Sequence, residues 1–353
     1  MKHLLNALLP TALLTTNLAL VSTAKTSVMC AIAPGAELAG YIDAVAMGQA
    51  SIIESLETNP LYQQFEENSG SDEIISGLDL NEEDLTAAAF SLTGLEGAMQ
   101  EDPTAFSFQF AVASAKPISN AQLGELLEQE AAEDGVTLTQ TVIGGQTFFA
   151  GRKSPDEPEL LFASLDNGTG SLVVGGSRKG MDALMTRHAS GGSSASGPLT
   201  DALTESLPGR QGWLVLTLSE TMRQQLKEQM DPNNPQAPPF AAVLGNYLAA
   251  SEAVVVAAAA SDTMTLQLGM QFPSEQQASE FTAFTNGLLD NMLRPMLQQQ
   301  PEVPAAVKNM RFNASADYAF VDFALTESDL EALLQQAALM GPGAAPPPPA
   351  YGE

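Results

Sequence analysis

Ala253-Val-Val-Val-Ala-Ala-Ala-Ala260, Ser261-Asp262 and Thr263-Met-Thr-Leu-Gln-Leu-Gly-Met-Gln-Phe272 decide the fold. The first segment is apolar and opens on β-branched residues, as a central strand does when both its faces are covered. The last segment alternates. Met264, Leu266, Leu268, Met270 and Phe272 point one way; Thr263, Thr265, Gln267, Gly269 and Gln271 point the other. A period of two is that of a strand with one core face. Ser261-Asp262 supplies the hairpin turn. Pro273 stops the strand, and Ser274 caps a helix. In that helix Phe281, Phe284, Leu288, Leu289, Met292, Leu293, Met296 and Leu297 fall three or four apart, one apolar stripe that needs a sheet beneath it. Pro295 lacks an N–H and kinks or breaks the helix near its end.

The chain says this twice. Ala87 to Leu92 is again an apolar strand. Phe106, Phe108, Phe110 and Val112 alternate with Ser107, Gln109, Ala111 and Ala113, and a helix carrying Leu123, Leu126 and Leu127 follows Ser119. Around these units the pattern predicts strands at Val28–Ala33, Val136–Val142, Gln146–Gly151, Glu159–Leu165, Ser171–Val174, Gly212–Thr217, Val307–Ser315 and Tyr318–Leu325. It predicts helices at Ala36–Glu57, Lys179–His188, Leu199–Leu207, 219–230 and Phe240–Ala250, and one capped by Thr326. The fold class is α+β: two related lobes, each an antiparallel sheet with helices packed on one face.

Residues 1–24 read as a signal peptide. Lys2 precedes an apolar run from Leu4 to Leu20, and Ser22-Thr23-Ala24 offers small residues for cleavage. That run is interrupted by Asn6 and Pro10 and is a poor membrane span, so no integral span is expected after cleavage. The remaining division is a first lobe at 25–190, a linker at 191–211 rich in Gly and Ser, a second lobe at 212–340, and a Pro-rich disordered tail at 341–353. Cys30 is the single cysteine, so no intramolecular disulfide forms; it follows Val28-Met29, not the small residues a lipidation site wants, and reads as a core thiol. A net charge of −28 repels nucleic acid and anionic headgroups, and the expected compartment is periplasmic or secreted.

No catalytic constellation emerges. His188 is the one histidine beyond residue 24, and clustered Cys and His for zinc are missing. Gly175-Gly176-Ser177-Arg178-Lys179-Gly180 is neither a nucleophile elbow nor a phosphate loop, and reads as a strand-to-helix turn capped by Ser177. The acidic run Asp79 to Asp84 lacks the Gly and Glu that an EF-hand loop needs at its sixth and twelfth places, and Asn81 reads there as a helix cap. No cofactor and no metal are expected.

The feature that points to contact is neutrality. On a chain this acidic, the hairpin faces that bear Ser107, Gln109, Thr263, Thr265, Gln267 and Gln271 carry hardly a charge, and the last hairpin adds Tyr318 and Phe320 on one face, opposite Val321 and Phe323. Such a face is expected to be covered, by the other lobe, by a partner or by a ligand. Gln109, Thr265, Gln267, Gln271, Tyr318 and Phe320 are the candidate contact residues.

Through Ala33-Pro-Gly-Ala-Glu37 and Gly77-Leu-Asp-Leu-Asn-Glu-Glu-Asp84 the chain resembles uncharacterised exported bacterial proteins with repeated α+β lobes. The resemblance implies location and architecture and transfers no site. The expected function is a non-enzymatic binding or scaffold protein of the bacterial cell envelope, contacting a protein partner or a small apolar ligand. A carrier of an apolar small molecule is the second reading, and a hydrolase using carboxylates alone is the third.

Overall fold

The computed structural model describes residues 27–57, 59, 77–95, 97, 106–152, 154, 158–190, 199, 202–203, 206–230, 241–299 and 303–340. Residues 1–24, expected as a signal peptide, the Pro-rich residues 341–353 and most of residues 191–211 lie outside the described residues.

In chain order the first half runs β1 (Leu38–Ile42), α1 (Ala44–Gly48), α2 (Ser51–Glu57), β2 (Leu85–Thr93), β3 (Ser107–Ser114), α3 (Asn120–Asp134), β4 (Thr137–Ile143), β5 (Gln146–Arg152), β6 (Leu160–Asp166), β7 (Ser171–Ser177) and α4 (Arg178–Ser190). The second half runs β8 (Gly212–Thr217), α5 (Glu220–Gln229), α6 (Ala241–Ala250), β9 (Ala253–Ala260), β10 (Met264–Gln271), α7 (Glu275–Leu288), α8 (Arg294–Leu297), α9 (Ala305–Lys308), β11 (Phe312–Ser315), β12 (Tyr318–Leu325) and α10 (Glu327–Met340). Apart from the extra hairpin β4–β5 and the two short helices α8 and α9, the order is the same.

The twelve strands among the described residues join one antiparallel sheet, in the order β11-β12-β10-β9-β8-β1-β2-β3-β7-β6-β5-β4. The halves meet edge to edge where β1 pairs β8, with Gly40 opposite Leu214. A two-fold axis at that pair sends Phe90 to Val256, Phe110 to Leu268 and Gln109 to Gln267. It also sends Gly175 to Val321 and Phe162 to Phe312. One row of facing residues therefore crosses the whole sheet: Phe312, Val321, Leu268, Val256, Leu214, Gly40, Phe90, Phe110, Gly175, Phe162, Phe149 and Gln140. We call the side that bears this row the Phe face, and the side that bears Gln109 and Gln267 the Gln face.

The antiparallel α+β architecture is as expected, but the helices divide between the two faces. On the Phe face Leu123, Leu126 and Leu127 of α3 and Ile52, Ile53 and Leu56 of α2 pack with Phe110, Phe149 and Phe162. On the Gln face Met181, Leu184 and Met185 of α4 pack with Val28, Ile32, Ala111 and Val174. The sheet presents apolar side chains on both sides, as Ala87-Ala88-Ala89 shows, so both sides need cover.

Local signals set several boundaries. Ser119 caps α3 in a reciprocal capping box with Gln122, and Gly135 ends it in the left-handed conformation. Ser219 and Ser274 cap α5 and α7. Past α7, Leu289–Leu293 form a π-helical turn before α8, which has Pro295 in its first turn. Proline cannot donate to the preceding turn, and the wider turn absorbs that loss.

Three expectations are corrected. Met29–Ala31 is a 3₁₀ turn and not part of a strand; it lies across the Gln face, with the Ala31 carbonyl accepting from Gln109 and Ser91 below. The helix expected over Ala36–Glu57 begins only at Ala44, because Leu38–Ile42 is the strand that pairs both β2 and β8. Gly40 suits that strand because the Phe90 ring lies where a side chain at 40 would sit. In the last hairpin Val307 belongs to helix α9, and the strand starts at Phe312.

Candidate functional site

The six candidate contact residues all fall on the Gln face, in both halves of the molecule. They are not presented to solvent. Gln109, Gln267, Gln271 and Tyr318 are buried, and Thr265 and Phe320 are half-buried. The chain itself covers them. In the first half Gln109 Nε2 donates to the Ala31 carbonyl at 2.9 Å and to Ser91 Oγ at 3.1 Å, while Ala33 N–H donates to Ser91 Oγ at 3.0 Å. In the second half Gln267 Oε1 accepts from Leu207 N–H at 2.7 Å and from the Tyr318 hydroxyl at 3.2 Å, and its Nε2 donates to Asp322 Oδ1 at 2.8 Å. Two glutamines related by the two-fold thus hold two different covering segments by their main chains.

This explains why the buried positions of the face carry no charge; Asp322, opposite Gln267, is exposed. A segment laid across a sheet brings main-chain groups that must be bonded once buried. A neutral amide can both donate and accept, without the cost of burying a charge. Gly269 completes the arrangement. The Tyr318 ring passes where a side chain at 269 would stand, and it stacks on Phe320 with centroids 5.7 Å apart. Burial, reinforced by the Asp322 charge, raises the Tyr318 pKa well above that of an ordinary phenol and keeps the hydroxyl a donor. Gln271 lies opposite Tyr318, and its Oε1 finds no hydrogen-bond partner among the described residues.

Cys30 sits in the first covering segment, beneath Arg187, whose Nε donates to the Cys30 carbonyl at 2.8 Å. Burial pushes the thiol up to about 11, against the opposing pull of the Arg187 charge. A thiol so placed is a core group and a poor nucleophile. Ser177 Oγ accepts from Gly180 N–H at 3.3 Å, capping α4 as the strand-to-helix turn required. No group of three or more His, Cys, Asp or Glu side chains among the described residues is placed to hold a metal ion. No described helix is long and apolar enough to cross a membrane.

The open surface is on the other side. In the second half the Phe-face row leaves Leu214, Val256 and Leu268 at 39, 39 and 40 % exposure, side by side on β8, β9 and β10. The two-fold mates of Val256 and Leu268, Phe90 and Phe110, lie in the cluster under α2 and α3. The open row is a trough with walls. Along the strands on one side, Val254 and Met270 are covered by Leu244, Tyr247, Leu248 and Phe281 of α6 and α7. On the other side, Ala258 and Met264 pack with the α2 cluster and Leu330 of α10. On β9 the walls rise at Val254 and Ala258, two residues either side of the row, so the floor is about 13 Å wide along that strand and about 10 Å long across the three strands. Phe90 stands at the β1 end and buried Val321 at the β12 end. Sequence reasoning missed this trough, because an exposed Val or Leu on a strand reads the same as a buried one.

No family model matches the chain, and no curated protein matches it. Two solved structures are similar. Crystal form III of TP0453 is 12 % identical, with 88 % of this chain and 98 % of that chain covered and a TM-score of 0.38. Crystal form I of TP0453 is 11 % identical, with 88 % and 96 % covered and a TM-score of 0.39. Likeness this distant assigns no residue and no activity.

Proposed function

We propose that the chain is an exported, non-enzymatic binding protein of the bacterial cell envelope that receives an apolar group in the Leu214–Val256–Leu268 trough. The observation that carries this reading is the row of three apolar side chains, each about two-fifths exposed, walled by helices on both sides. Contiguous exposed apolar surface costs free energy in water and marks contact sites more often than chance. The neutral Gln face that sequence pointed to is engaged with the chain's own covering segments, which leaves the trough as the contact surface. Residues 1–24 supply the export part of the reading.

The apolar group can belong to a small molecule or to a side-chain cluster of a partner. Native mass spectrometry of purified mature protein separates the two. A retained apolar small molecule, lost in the double variant Val256→Ser, Leu268→Ser, assigns carriage. An empty protein that nonetheless binds an apolar fluorescent probe, with binding abolished in the same variant, leaves the trough to a protein segment. Equal probe binding by parent and variant overturns the trough reading. Amino-terminal sequencing of the secreted form tests export, and a chain retaining residues 1–24 overturns it.

A further inference from the structure

A sheet of twelve strands in a row has two edges, and this chain treats them differently. At the β11 edge the outward main-chain groups of Phe312, and the carbonyl of Asn313, are bonded by side chains of α7. Phe312 N–H donates to Asn286 Oδ1 at 2.9 Å, the Phe312 carbonyl accepts from Asn286 Nδ2 at 2.9 Å, and the Thr282 hydroxyl donates to the Asn313 carbonyl at 3.3 Å. One asparagine there does the bonding of the next strand.

Among the described residues the β4 edge has no such seal. Its hairpin with β5 turns through Gly144 and Gly145, both at positive φ (58° and 82°), with Ile143 facing Gln146. In a two-residue turn of this kind the flanking pair exchanges both main-chain bonds. Residues 143, 141, 139 and 137 therefore bond inward to β5, and Leu138, Gln140 and Val142 direct N–H and C=O outward. No bond to these outward groups occurs among the described residues, and Val142 is 67 % exposed. Natural edges are blunted by charges, prolines, bulges or short length. Thr137-Leu-Thr-Gln-Thr-Val-Ile143 is seven residues long without charge, proline or register shift, in a chain of net charge −28.

We propose that β4 is a strand-addition surface for a second copy of this chain, paired antiparallel about a two-fold axis at Gln140. That register sets Gln140 against its own copy, Leu138 against Val142, Thr139 against Thr141, and Thr137 against Ile143. Every cross-strand pair is neutral, and the Thr–Thr and Leu–Val pairs are favourable ones. Self-pairing thus brings two strongly acidic chains together at a line where neither presents a carboxylate. The contact is isologous and closes at two copies. It continues the sheet, because Gln140 is the last member of the row that begins at Phe312.

Sedimentation velocity of the mature chain is expected to show a concentration-dependent dimer that tightens with added salt, as screening relieves repulsion between the acidic bodies. Gln140→Lys and Gln140→Glu, each alone, are expected to raise the dissociation constant at least tenfold by setting like charges across the two-fold axis. An equimolar mixture of the two is expected to regain the dimer as a heterodimer. The Gln140 side chain is exposed and its main-chain groups point outward, so both variants should keep the parent melting temperature; Val142→Lys, at another exposed position, serves as a second disruptor. A parent that stays monomeric at its highest soluble concentration overturns the proposal, whether or not it takes an extended peptide. A dimer indifferent to all three substitutions also overturns it.

Discussion

The two halves of the sheet carry the same row of residues and finish it differently. In the first half the row is Phe90, Phe110, Gly175 and Phe162, roofed by α2 and α3. In the second it is Val256, Leu268, Val321 and Phe312, with the roof displaced toward β11 and the middle left open. The same topology has been completed as core in one half and as surface in the other. The β4–β5 hairpin is part of the reason: it extends the first half's sheet, and α3 lies over the widened floor through contacts with β4, β5 and β6.

The sharpest way to break this comparison is to truncate equivalent aromatics. Phe162 is 1 % exposed, and Phe162→Ala should cost about 3–5 kcal/mol in urea unfolding. Phe312 is half-buried, and Phe312→Ala should cost less than half as much, about 1–2 kcal/mol. Equal costs would mean that both halves are core.

Next comes alkaline pH, which acts first on the covering segment that holds Cys30. The Cys30 thiol is raised from 9.0 to about 11 in the folded chain. Above pH 9 the unfolded chain therefore holds fewer protons than the folded one, and stability falls as pH rises toward 11. The loss is about 2–3 kcal/mol over that window. Cys30→Ala should flatten this part of the profile, leaving the later fall from Tyr41 and Tyr318, whose pKa values are raised above 10.0. A melting-temperature series from pH 7 to 11 reads it.

The glutamine clamps should differ by a smaller margin. Gln267→Leu leaves Leu207 N–H and the Tyr318 hydroxyl without their acceptor and should cost about 2 kcal/mol. Gln109→Leu should cost about 1 kcal/mol, because Ser91 still bonds the Ala31 carbonyl. The smallest effect belongs to the open row. Leu268→Ser should change stability by under about 1 kcal/mol while removing apolar-probe binding, whereas Phe110→Ser should unfold much of the chain.

Much of the scaffold was legible in the sequence because its signals are local. The capping serines at 119, 219 and 274, the Gly144-Gly145 turn and the alternation in β10 each act within a few residues. The repeat was legible for the same reason. β1 was not, because Leu38-Ala-Gly-Tyr-Ile42 becomes a strand only through β2 and β8, which lie about 50 and 175 residues further along the chain. The polar, nearly charge-free character of the Gln face was legible, but what lies on it was not: a 3₁₀ turn and a loop whose positions depend on tertiary contacts. The trough was illegible in principle: periodicity tells which residues share a face, and only the placement of helices tells whether that face has a roof.

The seam between β1 and β8 has a consequence in time. Its five residue pairs, with Asp43 N–H to Gln211 O and Thr217 N–H to Glu37 O at either end, are where the two halves join within the sheet. A chain made from its amino terminus at roughly 5–20 residues per second completes β1 about 9–35 s before β8 is complete. Through that interval the first half can assemble on one side of β1 while the other side stays bare. Delay at that stage should favour pairing with the wrong neighbour, so the nascent chain is expected to be most vulnerable to aggregation when it is about half made.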